Sequence, residues 1–152
     1  MEVSHLYLMS LVKKDYTQIK SFPMIASCIS FAMYVALSII FIILRFQLPL
    51  IITNDYAVIE KTSSLIILAV LTHVFISPSI IYRNALFSVG ESKFILVATA
   101  ISNAVAIVLM LFLVYHMQYG LQAILLINLI NALILLIIFY KKYKGVLYLQ
   151  SN

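Results

Sequence analysis

The chain has 152 residues, of which 64% are hydrophobic and only 10% are charged. Soluble domains carry about 45–50% apolar and about 25% charged residues, so this composition excludes an ordinary soluble domain and predicts an integral membrane protein within the lipid bilayer. The net charge of +5 does not indicate a nucleic-acid partner, because the basic residues lie in small groups at the ends of apolar runs.

The first segment, MEVSHLYLMSLVKK, contains an apolar stretch from about Val3 to Val12. This stretch is too short to cross a bilayer, which takes about 20 residues. Its charges follow the apolar residues instead of preceding them, unlike a secretory signal. We interpret it as the second half of a membrane helix, and we expect the chain to be the tail of a longer protein.

Four full-length apolar runs follow, over about Phe22–Leu44, Ser64–Tyr82, Phe94–Tyr115 and Leu121–Tyr140. Each is near the length that a membrane-spanning helix needs, and none alternates as a barrel strand does. Between the first two, the segment Arg45–Ser63 is expected to include an interfacial turn. The predicted fold is therefore all-α: an integral membrane bundle of four transmembrane helices plus the N-terminal half-helix, forming one membrane domain over residues 1–152.

The distribution of Lys and Arg predicts the orientation of the bundle. With the N-terminus inside, the outer segments hold only Arg45 and Lys61. The inner segments hold Lys13, Lys14, Lys20, Arg83, Lys93, Lys141, Lys142 and Lys144. Cytoplasmic loops of membrane proteins are enriched in Lys and Arg, so both termini are predicted to face the cytoplasm.

The five acidic residues lie in predicted loops or at helix boundaries: Glu2, Asp15, Asp55, Glu60 and Glu91. A proton-coupled transporter usually keeps an ionisable group within the membrane, so the absence of a carboxylate there argues against a self-contained multidrug antiporter. The sequence has no glycine-rich phosphate loop, no metal-ligand spacing and no clear Ser/His/Asp set. We predict no enzyme activity, no cofactor and no metal.

Four polar side chains at depth in the spans are candidates for lining a substrate cavity: His73, Asn103, Asn128 and Asn131. Asn128 and Asn131 are three residues apart and share a helix face. For His73, the functional alternatives are a proton relay or a substrate contact. For all four, the structural alternative is a hydrogen bond to a neighbouring helix that stabilises packing.

The stretch Tyr82–Phe94, YRNALFSVGESKF, is unusually polar for this chain. We predict that it is an inner-face turn between the second and third spans. Arg83 can reach from the end of its helix toward water and anionic headgroups. Gly90 supplies a permissive backbone for ending that helix, and Ser92 is placed to cap the next one.

The same stretch carries a family resemblance. An arginine-bearing helix end is followed by ALFSVGESKF, by a helix with Asn103, and by YGLQAI at the start of the last span. This order resembles the C-terminal lobe of polysaccharide flippases in the multidrug/oligosaccharidyl-lipid/polysaccharide exporter superfamily. The positions that match are Gly90, Lys93, Asn103, Gly120 and Ala123. SLVKKDYTQIK and ITNDYAVIEKTSSLIILAV are similar to two connections of that lobe.

The resemblance implies a flippase that moves lipid-linked oligosaccharide across the bacterial inner membrane during polysaccharide, O-antigen or lipopolysaccharide biosynthesis. Such a protein has twelve helices in two lobes, of which this chain resembles the last four. The N-terminal lobe would be a missing partner, and the fragment would be inactive alone, because alternating access needs two bodies. In the intact protein, Arg83 and Lys93 would contact headgroups at the inner mouth, and the four polar residues at depth would face the cavity.

Two other interpretations remain open. The final helices, ending in FYKKYKG, resemble GtrA-like accessory proteins of lipid-linked sugar transfer, which would make the chain a stand-alone four-helix protein. A structural subunit of a larger membrane complex is the third. The short apolar stretch at the N-terminus favours the flippase interpretation, since a complete protein has little use for half a helix.

Overall fold

A computed structural model describes the backbone of residues 16–151 and the side chains of residues 21–148. In chain order it contains α1 (Tyr16–Ile43), α2 (Gln47–Leu50), α3 (Tyr56–Ser88), α4 (Ser92–Met117) and α5 (Gly120–Ser151). These residues include no strand, so the predicted all-α fold is confirmed. The half-helix predicted for Val3 to Val12 lies outside the described residues.

Among the described residues, four helices are long and apolar enough to cross a membrane: α1, α3, α4 and α5. The prediction of four membrane-spanning helices is confirmed. Helices α3 and α5 have 33 and 32 residues. At 1.5 Å per residue each is about 50 Å long, whereas the hydrocarbon core is about 30 Å thick. Their polar ends therefore extend beyond the hydrocarbon unless the helices tilt strongly.

Helix α3 begins earlier than the sequence predicted, at Tyr56 instead of near Ser64. The cause is Asp55, whose Oδ1 accepts a hydrogen bond of 3.0 Å from the backbone N–H of Ala57. A carboxylate in this position satisfies one of the free donors at the helix start. The connection from α1 is correspondingly short, and it holds α2 in the segment where an interfacial turn was predicted.

The long helices do not pack in the order of the chain. Helix α3 packs extensively against α1 and α5, and α5 packs in turn against α4. Helices α3 and α4 are joined by a tight turn but touch little. The resulting order of neighbours is α1, α3, α5, α4. Helix α5 therefore holds α3 and α4 in place, and the two helices can diverge from their turn.

The main buried cluster lies where the α3–α4 turn meets α5, and it contains Tyr82, Ala85, Leu86, Ile95, Phe139 and Tyr143. Leu86 and Phe139 are 0% and 1% exposed. The ring of Tyr82 meets that of Tyr140 edge-on at 5.3 Å between centroids. Most other apolar side chains of α1 and α4 are exposed, as expected for helices that face lipid or another membrane segment.

One prediction about the α3–α4 turn is confirmed and one is wrong. Gly90 has a φ of +84°, which an L-residue adopts only with strain, as predicted for a residue that ends a helix. Ser92, however, is not the cap of α4. Glu91 occupies the N-cap and makes no side-chain capping bond. Its carboxylate binds Lys142 of α5 instead.

Candidate functional site

A groove of about 420 Å³ lies between α3 and α5 and reaches α4 at Thr99. Its polar lining consists of Thr72, His73, Ser79, Arg83, Thr99, Asn128 and Asn131. We call this the polar groove. Apolar side chains, including Ile76, Leu135 and Phe139, complete its walls. Polar side chains at membrane depth are costly, so such a groove is a candidate functional site by default.

Helical spacing brings the polar residues of α3 to one side. His73, Ile76, Ile80 and Arg83 follow one another at intervals of three or four residues, which places them along one face. The ten residues from His73 to Arg83 correspond to about 15 Å along the helix axis. The groove therefore runs from the middle of α3 to the end of the bundle that holds the α3–α4 turn.

The side chains of His73 and Asn128 are available to a ligand. His73 is exposed and Asn128 is partly buried, and neither makes a hydrogen bond to any other residue within the described part of the chain. Thr72 differs, because its hydroxyl donates to the carbonyl of Leu68 at 2.8 Å. The groove thus offers an imidazole and an amide whose donors and acceptors are uncommitted.

Asn131 has a different role from Asn128, although both line the groove. Its Nδ2 donates to Oδ1 of Asn103 at 3.0 Å, and its Oδ1 accepts from the hydroxyl of Ser102. These bonds connect α5 to α4 inside the membrane, where each is worth about 0.6 kcal/mol on average. Asn103 is outside the polar groove, so its amide serves helix packing in this structure.

A second cavity of about 420 Å³ opens between α3 and α4, next to their turn. Its lining combines Arg83, Ser92, Lys93 and Thr99 with the apolar side chains of Phe87, Ile95 and Leu96. We call this the basic cleft. Arg83 and Thr99 line both cavities, so the cleft and the polar groove adjoin at these two residues.

At that junction two polar atoms are buried without a partner among the described residues: Nε of Arg83 and Oγ1 of Thr99. Buried donors of this kind are nearly always bonded in native structures, and an unbonded one costs about 1–3 kcal/mol. The junction is therefore suited to a ligand that accepts hydrogen bonds.

The structure brings five of the six residues predicted from the sequence to the two adjoining cavities: His73, Arg83, Asn128 and Asn131 line the groove, and Arg83 and Lys93 line the cleft. Sequence reasoning missed Thr99. It follows Ser92 and Ile95 at helical intervals on α4, and that spacing is the signal that could have identified it.

Within the described residues, no group of three or more His, Cys, Asp or Glu could hold a metal ion.

The family model MatE matches residues 10–112 of the chain. The match covers well over half of the 152 residues, so the chain belongs to the MatE family, part of the multidrug/oligosaccharidyl-lipid/polysaccharide flippase superfamily. Members are transporters, and the chain is accordingly a multi-pass membrane protein. The match includes His73, Arg83, Lys93, Thr99 and Asn103, whereas Asn128 and Asn131 lie beyond it. No curated protein and no solved structure matches the chain.

Proposed function

We propose that the chain is the C-terminal part of a flippase that moves lipid-linked oligosaccharide, of the O-antigen or lipopolysaccharide type, across the bacterial inner membrane. The observation that carries this proposal is the polar groove of a MatE-family chain, where His73 and Asn128 have uncommitted groups and Arg83 supplies a positive charge. The MatE match favours this function over a GtrA-like accessory protein and over a structural subunit.

The chemistry of the groove suits a sugar better than an apolar drug. Sugar hydroxyls both donate and accept hydrogen bonds, as do the amide of Asn128 and the imidazole of His73. The diphosphate that joins the sugar to its lipid is an anion, and the Arg83 guanidinium is a good partner for it.

The positions of the acids argue in the same direction. In the described part of the chain, Asp55 and Glu91 are N-caps and Glu60 lies in the first turns of α3. None lines the polar groove. A carboxylate in this groove would repel an anionic lipid-linked sugar, so its lining is compatible with such a substrate.

Transport by this route would require a second body. Alternating access moves two bodies against each other, and we propose that an N-terminal lobe of about six more helices supplies the other one. The exposed apolar faces of α1 and α4 leave room for such a lobe. Residues 1–152 would then form the moving C-terminal domain and would not transport on their own.

The proposed orientation places the α3–α4 turn and both termini in the cytoplasm. The ion pair between Glu91 and Lys142 puts the turn and the basic end of α5 at the same end of the bundle. Arg45 and Lys61 lie at the opposite end, near the start of α3. Concentration of Lys and Arg on one side supports a cytoplasmic assignment for that side.

Polysaccharide export tests the proposal. His73→Ala and Asn128→Ala, introduced into a bacterium that makes the chain together with its N-terminal lobe, are expected to lower surface polysaccharide while leaving the amount of membrane protein unchanged. His116→Ala and Asn84→Ala are matched controls, since neither residue lines the polar groove. Full surface polysaccharide in both groove variants, or equal losses in the controls, would contradict the proposed function.

A further inference from the structure

We propose that the basic cleft binds the phosphate group of a membrane lipid. This inference concerns binding at the α3–α4 turn: binding of a bilayer phospholipid there is independent of the proposed function, whereas binding of a lipid-linked diphosphate rests on it. It rests on three features of the cleft: its two cationic residues, its two buried atoms without partners, and the uncapped start of α4.

The two cations complement a phosphate group in different ways. The guanidinium of Arg83 has five N–H donors in a planar fork that matches phosphate oxygens, and the ammonium of Lys93 acts as a mobile point charge. Both residues line the same cavity of about 420 Å³, which is large enough for a phosphate group and its nearest ester atoms. Neither forms an ion pair within the described part of the chain.

The buried atoms at the junction need an acceptor. Nε–H of Arg83 and the hydroxyl of Thr99 are enclosed by protein and have no partner among the described residues. Both atoms are closed to solvent, so a phosphate oxygen in the cleft would accept from them only after these side chains turn toward it. The bond from the Arg83 guanidinium to a phosphate joins a charged donor to a charged acceptor, and such bonds are about twice as strong as neutral ones.

The start of α4 contributes free N–H groups. Ser92 is its first residue, and the N-cap Glu91 gives no side-chain hydrogen bond to the helix. The free donors and the helix dipole attract an anion, and the helix is 26 residues long. Glu91 is the one acid next to the cleft within the described residues, and Lys142 compensates its charge at 2.9 Å.

The ligand is a lipid because the rest of the cleft is apolar and open to the side. Phe87 and Leu96 are 51% and 71% exposed, so they present hydrocarbon next to the cationic residues. A headgroup phosphate could sit between Arg83 and Lys93 while its chains lie along these side chains. Two sources share this chemistry: an anionic phospholipid of the bilayer, and the diphosphate of a lipid-linked sugar.

Native mass spectrometry of the full 152-residue chain in a neutral detergent tests the site. The probes are phosphatidylglycerol, a galactosyl diacylglycerol with the same acyl chains and no phosphate, and a polyprenyl diphosphate. We expect phosphatidylglycerol to bind at least about tenfold more tightly than the galactolipid, as the loss of charged hydrogen bonds predicts. Tighter binding of polyprenyl diphosphate than of phosphatidylglycerol would identify the lipid-linked sugar as the source; the reverse would identify the bilayer phospholipid.

Four variants localise the binding. Arg83→Gln is expected to weaken phosphatidylglycerol binding about tenfold, and Lys93→Gln and Thr99→Val less strongly. Lys141→Gln is the matched control, because Lys141 is exposed on α5 near the same end of the bundle and does not line the cleft. Thr99→Val changes no charge and keeps the shape of the side chain, so it reports on the cleft even if Arg83→Gln impairs folding. Equal binding of the two diacyl lipids, or equal losses in Lys141→Gln and the cleft variants, would overturn the proposal.

Discussion

The ammonium of Lys142 lies 2.9 Å from a carboxylate oxygen of Glu91 and 5.1 Å from the centre of the Phe94 ring. These contacts join the last helix to the turn between α3 and α4. Since α3 and α4 touch each other little, α5 holds the two together. The basic cleft lies between them, and Lys142 compensates the negative charge of Glu91 beside the cleft.

Removing the Glu91–Lys142 pair should have a small, salt-dependent effect on stability. Both side chains are about one-third exposed, at 30% and 34%, so solvent screens the pair. We expect a coupling free energy of about 0.3–1 kcal/mol from a double-mutant cycle with Glu91→Gln and Lys142→Gln, measured by unfolding in mixed micelles. The coupling should fall as salt is raised. Lys141→Gln, at the neighbouring position, should show no coupling with Glu91→Gln; a coupling as large as that of Lys142 would contradict the geometry.

Asn131 and Asn128 share a helix face, but replacing each with alanine should lower the free energy of unfolding by different amounts. Asn131→Ala removes hydrogen bonds to Ser102 and Asn103, so we expect the free energy of unfolding to fall by about 1–2 kcal/mol. Asn128→Ala removes no hydrogen bond of the described structure and should change stability by less than about 0.5 kcal/mol. Comparing the two unfolding curves checks this, and similar losses for both variants would show that the Asn131 network does not stabilise the bundle.

Replacing Gly90 and Gly145 with alanine should change the stability of the protein in opposite directions. Gly90 has a φ of +84°, and no atom lies within 4 Å of an added Cβ, so Gly90→Ala adds backbone strain without a clash. We expect a loss of about 1 kcal/mol. Gly145 lies inside α5 with ordinary helical backbone and equally open space, so Gly145→Ala should stabilise the helix by about 0.5–1 kcal/mol. Thermal unfolding midpoints should therefore move in opposite directions, and a shared direction would contradict the assigned backbone at Gly90.

The membrane helices could be predicted from the sequence because hydrocarbon allows a long apolar segment few alternatives to a helix. The end of α3 could be predicted as well, since Gly90 adopts the backbone that only glycine takes easily. The start of α3 was predicted too late because the hydrophobic run begins near Ser64, whereas the helix is set by the cap at Asp55. The first turns of α3 contain polar residues such as Glu60 and Lys61, so a search for apolar runs does not detect them as part of the helix.

The packing order could not be predicted, because it depends on how side chains of distant segments fit together. Helices joined by a short turn are expected to pack as neighbours, yet α5 lies between α3 and α4 as their common partner. That arrangement creates the basic cleft and brings Thr99 beside Arg83. It also gives Asn131, which bonds to α4, a different role from Asn128, which makes no such bond, although both line the groove and lie three residues apart on one helix face.

The most direct test of the proposed function is to map where the sugar of a lipid-linked oligosaccharide contacts the protein. The full chain, reconstituted in nanodiscs, would be exposed to a substrate that carries a photoreactive diazirine on its terminal sugar, and the labelled residues would be identified by mass spectrometry. Our account predicts labelling concentrated at His73, Ile76 and Asn128, and reduced by Asn128→Ala. Labelling spread over exposed apolar residues outside the groove, such as Ile39 and Val108, in proportion to their exposure would contradict a sugar site in the polar groove.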